Sequence, residues 1–220
     1  MQTKSRTVAL LLFDEVELLD VAGPLSVLSQ AGRHWNWRPF KVYTVAEKPG
    51  PLTTRSQLSV AAQHDLAACP APEIVIIPGG YGARKALASA AVLGFLTAAN
   101  AAGATTFAAL GNGQLLLAKA GLLSGARVPA RDDLAAELRE LEPSVTIESA
   151  AAPAADSLLE SGKIIAGSGS GASLELALRL VARALGPKLA NTTAQSLGIP
   201  WLAPETSVAL VGDKEGDKAG

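Results

Sequence analysis

Cysteine and histidine are scarce in this sequence, whose 220 residues include one cysteine, Cys69, and two histidines. A single cysteine cannot form a disulfide bond within the chain and is compatible with a reducing compartment, so we predict a cytoplasmic protein. The leader Met1–Thr7 is short and polar, unlike a signal peptide, and no apolar run approaches the ~20 residues of a membrane span. The net charge is −1 and no basic cluster carries interleaved aromatic residues. We therefore expect neither a membrane nor a nucleic acid as a partner.

The composition instead favours a compact globular protein, with 49% hydrophobic and 18% charged residues. Apolar and alternating runs predict strands at Thr7–Phe13, Phe40–Ala46, Leu58–Ala62, Glu73–Ile77, Thr105–Leu110, Val145–Glu148 and Ser157–Ala166. Helical spacing predicts helices at Asp14–Gly32, 83–102, 113–121, Asp132–Leu141 and Ala172–Leu185. This alternation is typical of an α/β fold, a doubly wound and mostly parallel sheet with helices on both faces. We expect one domain over residues 1–202 and a polar, flexible tail over 203–220.

Proline and glycine punctuate this pattern at two places. Gly23-Pro24 is expected to end or kink the first helix, because proline disrupts a helix interior. Pro49-Gly50-Pro51 is expected to form a turn.

Four segments are predicted to meet at one edge of the sheet. Phe13-Asp14, Pro78–Gly82, Leu110-Gly111 and Gly167–Gly171 each follow a predicted strand. Ligands bind at the carboxyl ends of the strands in doubly wound sheets. This edge is therefore the expected ligand crevice.

The stretch ATTFAALGNGQLLLAKAG, from Ala104 to Gly121, predicts a buried strand that passes directly into an apolar helix. Such a junction needs a residue in a strained, often positive-φ conformation, where a nucleophile elbow carries its serine or cysteine. Here the junction residue is Gly111, which has no side chain for chemistry.

Four segments resemble, in order and spacing, the motifs of the ThiJ/PfpI superfamily within the class I glutamine amidotransferase-like folds. They are DEVELLDVAGPLSVL, EIVIIPGGYG, ALGNGQLLLAKAGLLSG and IIAGSGSGASLELAL. The pattern is similar to the isonitrile hydratase branch and to the ligand-binding halves of some AraC-type transcriptional regulators. The resemblance implies a flavodoxin-like fold of the ThiJ/PfpI type and a homodimer.

The resemblance also implies roles for particular residues. Asp20 lies where the family has an acidic residue beside its reactive cysteine. Gly79 and Gly80 match the glycine pair that supplies oxyanion-type backbone donors, and Glu175 matches an acid early in the last core helix. A local helix-end cap for Asp20, and a simple tight turn for the two glycines, remain open as structural alternatives.

The sequence departs from the family at its reactive centre. Gly111 occupies the cysteine position, Asn112 the residue after it, and Arg131 the position of a histidine that ends a Thr-Thr-His-like run. Since that run is lost as well, natural divergence is favoured over an engineered Cys→Gly change. We predict Gly111 as a vacated nucleophile position and Asn112 and Arg131 as ligand-binding residues.

No other residue is predicted to replace the missing cysteine. Cys69 precedes the strand at Glu73, at the opposite edge of the sheet from the crevice, about 17 Å away for a five-residue strand. Ser168 and Ser170 lie at the correct edge without an evident base, and neither His34 nor His64 supplies one. No spacing typical of a metal site is present, so neither a metal nor a cofactor is expected.

Two hypotheses follow. The first, which we favour, is a protein without catalytic activity that binds a small molecule in the former active-site crevice, as a sensor or partner protein. The second is a hydratase or lyase for an isonitrile- or glyoxal-like molecule, in which Asp20 is the general acid–base, assisted by Glu175 or Arg131.

Overall fold

A computed structural model of the chain describes residues 4–150 and 158–201. Strands and helices alternate through most of this part, as the sequence predicts. The strands, in chain order, are β1 Arg6–Leu11, β2 Phe40–Ala46, β3 Gly50–Thr53, β4 Ser59–Ala62, β5 His64–Asp65, β6 Ile74–Ile77, β7 Thr106–Leu110, β8 Arg127–Ala130, β9 Thr146–Ser149, β10 Leu158–Ser161 and β11 Ile164–Gly167. The α-helices are α1 Leu18–Gln30, α2 Gly82–Ala86, α3 Ala90–Ala101, α4 Gly113–Lys119, α5 Asp132–Leu141, α6 Ser173–Leu185 and α7 Pro187–Ser196.

The central sheet has seven strands in the order β10-β11-β7-β6-β1-β2-β5. All neighbouring strands are parallel except the pair β10 and β11. The chain moves from β1 through α1 to β2, and from β6 through α3 to β7 in the opposite direction across the sheet. Because such crossovers are right-handed, α1 and α3 lie on opposite faces. The prediction of a mostly parallel, doubly wound sheet is confirmed.

The order of strands locates the ligand crevice. β1 lies between β2 and β6, so the direction of the chain reverses between β1 and β6. Ligands bind at such a switch point, outside the carboxyl ends of the strands. The loops that follow β1, β6, β7 and β11 meet there.

The core is formed by strands that are buried along their whole length. β6, β7 and β11 have only buried residues, as expected for parallel strands covered on both faces. In the described residues, no helix is both long and apolar enough to cross a membrane.

The helix end expected at Gly23-Pro24 and the turn expected through Gly50-Pro51 were wrong. The first helix runs unbroken through Pro24, and Gly23 packs against α6 so closely that a Cβ there would lie 3.1 Å from the Ser173 Cβ. Packing of α1 on α6 therefore outweighs the local cost of proline. Gly50 and Pro51 do not form a turn but belong to β3, which pairs with β4 in a separate two-stranded hairpin. Proline is tolerated there because the hairpin strand is an edge strand.

Other elements were missed or merged by the sequence pattern. β8 pairs with β9 in a small parallel sheet, and α7 packs on α6, but neither β8 nor α7 was predicted. The single helical region expected at 83–102 is two helices, because Ser89 caps the second by accepting a hydrogen bond from the Val92 N–H at 3.1 Å. The predicted tail, residues 203–220, lies outside the described residues.

Gly113 lies where α4 packs closely on the end of β6. A Cβ at Gly113 would lie 2.5 Å from the Ile77 carbonyl oxygen and 2.6 Å from that of Pro78. Backbone atoms this close could make room for a Cβ only if the strand or the helix shifted. We therefore expect Gly113→Ala to lower the free energy of unfolding by ~1–3 kcal/mol. Urea unfolding measures this change.

Gly94→Ala is the matched control, since a Cβ at this position in α3 meets nothing within 4 Å. We expect this change to be neutral or to stabilise the protein by up to ~1 kcal/mol. Equal effects of the two substitutions would contradict the packing argument.

Candidate functional site

The junction between β7 and α4 has the geometry of an elbow. Gly111 adopts a φ of 47°, its N–H donates to the Gly167 carbonyl at 2.8 Å, and its own carbonyl accepts from the Gln114 N–H at 3.1 Å. These bonds attach the tip of the elbow to the end of β11. The predicted strand–turn–helix junction is confirmed.

The space above Gly111 is open. A Cβ at this residue would have the Gly169 Cα at 3.8 Å and the Ser168 carbonyl oxygen at 4.0 Å as its nearest neighbours. Both distances are ordinary van der Waals contacts, so the elbow has room for a side chain that the sequence does not supply.

Asp20 lies fully buried beside the elbow, in the first turn of α1. Its Oδ2 accepts a hydrogen bond from the Gly79 N–H at 2.8 Å, and its Oδ1 accepts one from the Ser173 hydroxyl at 3.4 Å. The nearby Ser170 side chain also favours the ionised form of this carboxylate. Desolvation by burial raises the pKa of Asp20 from 3.8 to about 6, although these hydrogen bonds oppose the rise. A carboxyl group of this kind can exchange a proton near neutral pH.

Gly79 connects Asp20 to the elbow. The position that a Cβ on Gly79 would take lies 3.0 Å from Asp20 Oδ2 and 3.5 Å from the Asn112 nitrogen. The Gly79 N–H is engaged by Asp20, so it is not free to bind an oxyanion. The Gly80 N–H forms no hydrogen bond in the described part of the chain.

Asn112 joins the elbow to the same glycine loop. Its Nδ2 donates to the Gly80 carbonyl at 3.2 Å, and its side chain is half-buried. The structure thus brings together Asp20, Gly79, Gly80, Gly111 and Asn112, as the sequence predicts.

Arg131 is exposed at the end of β8 and forms no ion pair among residues 4–150 and 158–201. The end of β8 is held to the elbow by the buried Gln114, whose Nε2 donates to the carbonyls of Pro129 and Gly167 at 3.0 Å each. Gly167 is also the acceptor for Gly111. Arg131 therefore lies two residues after Pro129, and Gln114 links Pro129 to the Gly167 carbonyl that also binds the elbow.

Glu175 has a different environment from Asp20. It forms an ion pair with Arg179 at 3.0 Å, and Arg179 also lies 3.6 Å from Glu160 on β10. Ser173, which faces Asp20, is two residues away and thus about 200° around the helix. The structure places Glu175 on the side of α6 near β10, not beside Asp20.

Three residues of the site have roles that sequence reasoning missed. Ser170 was considered and set aside for want of a base, but Asp20 is its partner, and Ser173 was not singled out. Gln114 was also missed, and its Oε1 is buried with no hydrogen-bond partner among the described residues. A polar residue at the start of an otherwise apolar helix, GQLLLAK, was the available signal for Gln114.

The single thiol and both histidines lie elsewhere. Cys69 Sγ contacts the Leu66 carbonyl at 3.6 Å, and burial raises the pKa of this thiol, which makes it less reactive. His34 is exposed and packs edge-on against Trp35. His64 is in β5, separated from β7 by three strands, or about 19 Å of strand spacing. In the described residues, no three His, Cys, Asp or Glu side chains cluster as a metal site would require.

Sequence comparison identifies the class of protein that this fold and site define. Residues 6–183 match the DJ-1/PfpI family, and the chain belongs to that family. A curated relative, the isonitrile hydratase of Pseudomonas putida, is 27% identical over 179 residues, which cover 81% of this chain and 72% of the relative.

Solved structures show the same fold. A ThiJ/PfpI family protein from Pseudomonas syringae superposes with a TM-score of 0.74 at 22% identity, covering 94% of this chain and 81% of that one. The DJ-1beta protein of Drosophila melanogaster superposes with a TM-score of 0.75 at 20% identity, covering 90% of this chain and 100% of that one.

The raised pKa of Asp20 predicts a pH dependence of stability. The pKa is near 3.8 in the unfolded chain and about 6 in the folded one, so the folded state binds the proton more tightly. The stabilising contribution of protonated Asp20 is complete below the unfolded pKa and is lost as pH rises through the folded pKa. We expect a loss of about 3 kcal/mol across this window.

Denaturant unfolding of the natural chain and of Asp20→Asn, from about pH 4 to about pH 7, isolates this contribution, because the other groups titrate in both proteins. The natural chain should lose stability relative to the variant as pH rises. A constant difference between the two proteins would show that Asp20 titrates normally.

Proposed function

We propose that this protein binds a small molecule in the crevice above Gly111 and does not form a covalent intermediate with it. The observation that carries the proposal is the elbow itself, which has the backbone geometry and the space for a nucleophile but glycine at its tip. Covalent catalysis requires a nucleophile within reach of the ligand. The one thiol of the chain, Cys69, is not among the residues that meet at the elbow.

The groups that remain can still bind a ligand. The Gly80 N–H is a donor, the half-buried Asn112 amide borders the elbow, and Arg131 provides an unpaired positive charge on an adjoining loop. Backbone donors persist whatever side chain the elbow carries, because they belong to the main chain. These groups favour a small polar or anionic molecule, and the role of a sensor or partner protein fits binding without turnover.

Gly111→Cys tests whether the crevice lacks only its nucleophile. Because a Cβ at Gly111 has room, we expect the variant to fold, at a cost of ~1–2 kcal/mol for a non-glycine residue at positive φ. The natural chain should not turn over an alkyl isonitrile or methylglyoxal, whereas the variant should gain activity on one of them. Formamide or hydroxy-acid production measures turnover, and Gly94→Ala is the control for a change outside the site.

Turnover by the natural chain would contradict the proposal of binding alone. Inactivity of both proteins, with no saturable binding of either compound to the natural chain by calorimetry, would also count against this crevice as the ligand site.

One observation favours a second candidate function, a hydratase or lyase that works without a thiol. The Asp20 carboxyl has a pKa of about 6 and lies near the half-buried Ser170 side chain. Asp20 itself is fully buried, so a proton would pass between Asp20 and a ligand through Ser170. In the addition of water to an isonitrile, the water oxygen bonds to the terminal carbon as one water proton leaves, and a proton is delivered to that same carbon. The resulting imidic acid becomes the formamide when its hydroxyl proton moves to nitrogen. Asp20 would accept the first proton and return one, which leaves the protein unchanged.

Asp20→Asn and Ser170→Ala test the second candidate. If the natural chain is active, both variants should lose most of their turnover, since general acid–base catalysis contributes typically 10²–10⁴-fold. Glu175→Gln is the matched control, because Glu175 pairs with Arg179 on another side of α6. A loss of activity in Glu175→Gln equal to that in Asp20→Asn would exclude this assignment of roles.

We also propose that the protein is a cytoplasmic homodimer. The single cysteine supports the first part, since it is compatible with a reducing compartment. The resemblance to the ThiJ/PfpI superfamily supports the second.

A further inference from the structure

A cavity of about 480 Å³ lies away from the elbow, between the second half of α1 and the start of β2. Its size is within the range of small-molecule sites. The residues that shape it include Leu25 and Ser26 of α1, Phe40 and Val42 of β2, and Arg33 and Arg38 of the connecting turn. Asp20 lies in the first turn of the same helix, on the elbow side, and Ser29 at the cavity is nine residues, or about 13 Å, further along.

The turn between α1 and β2 brings the two arginines to one rim. The Gly32 carbonyl accepts hydrogen bonds from the Trp35 N–H at 3.0 Å and from the Trp37 N–H at 3.2 Å. These bonds bring Gly32 and Trp37, at the two ends of the turn, close together. Arg33 directly follows Gly32 and Arg38 directly follows Trp37. Both arginines therefore line the same cavity.

The charge of this rim is not compensated. Among residues 4–150 and 158–201, neither Arg33 nor Arg38 forms an ion pair, and no acidic residue lines the cavity. Five arginines of the described chain are paired with glutamates, whereas Arg55, Arg131 and Arg139 share the lack of an ion pair with Arg33 and Arg38 but do not line this cavity. Two uncompensated guanidinium groups on one cavity favour an anion, and a carboxylate matches their planar donor geometry.

The floor of the cavity is apolar. Phe40 and Leu28 are buried, whereas Leu25 and Val42 remain only partly buried and are exposed to an occupant. The Ser26 hydroxyl, at the edge, forms no side-chain hydrogen bond in the described residues. Covering the partly exposed aliphatic groups with an apolar body is favourable, at about 25 cal/mol per Å² buried.

We propose that this cavity, which we call the α1–β2 cavity, binds an organic acid with an apolar body, its carboxylate on Arg33 and Arg38 and its apolar part over Leu25 and Val42. The site is separate from the elbow crevice and does not depend on the function proposed for that crevice.

Calorimetric titration with decanoate, below its micelle concentration, tests the proposal. We expect saturable binding of one molecule per chain, weakened about tenfold or more in the double variant Arg33→Gln/Arg38→Gln. Decanol, which lacks the carboxylate, should bind correspondingly less well. Val42→Trp, which fills the cavity, should abolish decanoate binding while both arginines remain.

Two matched variants locate the site. Lys41→Gln removes a positive charge from the residue between Phe40 and Val42, which points to the other face of β2 by strand alternation. Arg131→Gln removes the unpaired charge near the elbow. Both should bind decanoate within about twofold of the natural chain, since neither touches the α1–β2 cavity. Melting temperatures establish that every variant is folded.

Several results would overturn the proposal. They are an absence of saturable binding, equal affinity in the double variant, or a loss in Lys41→Gln or Arg131→Gln as large as that in the double variant. A fourth is a dimer that dissociates in Arg33→Glu/Arg38→Glu, by sedimentation, while decanoate fails to bind the natural chain. That result would assign the cavity to a second copy of this chain.

Discussion

The buried carboxylate of Asp20 joins three parts of the chain. Its oxygens accept hydrogen bonds from the Gly79 N–H after β6 and from the Ser173 hydroxyl at the start of α6, while Asp20 itself lies in α1. Burying an ionised carboxylate is costly unless donors surround it. These donors offset much of that cost but not all of it, which is why the pKa remains raised. The same contacts that fix the crevice therefore leave Asp20 able to change its charge near neutral pH.

The elbow shows how a fold can hold the backbone geometry of a reactive site with glycine at its tip. Gly111, Asn112 and the loop at Gly79 are positioned by backbone hydrogen bonds and by the close packing of Gly113 on β6. None of these contacts depends on a side chain at the elbow tip. Glycine adopts positive φ without the strain of a larger residue, so its presence adds no steric strain to the elbow. Membership of the DJ-1/PfpI family thus fixes the scaffold, whereas chemistry depends on a few side chains.

Local sequence patterns predicted the parallel strands well, because a strand buried on both faces must be apolar throughout. They were wrong where packing outweighed local preference. Pro24 stays inside α1 because Gly23 lets α1 approach α6, a contact between residues 150 positions apart. Gly50 and Pro51 form a strand only because β4 is there to pair with it. Neither partner is visible in a short window of sequence.

The sequence by itself determined the alternation of the main strands and helices, the position of Gly111 at the elbow and, through the family resemblance, the place of Asp20 beside it. These follow from hydrophobic periodicity and from motifs whose spacing is fixed along the chain. Only the tertiary structure decided which side chains meet across it. The Asp20 carboxylate lies beside Ser170 and Ser173, and Gln114 joins β8 to the elbow. Glu175 forms an ion pair with Arg179 and does not lie beside Asp20. Such contacts depend on how two helices are rotated against each other, and a rotation of one residue, about 100°, changes every partner.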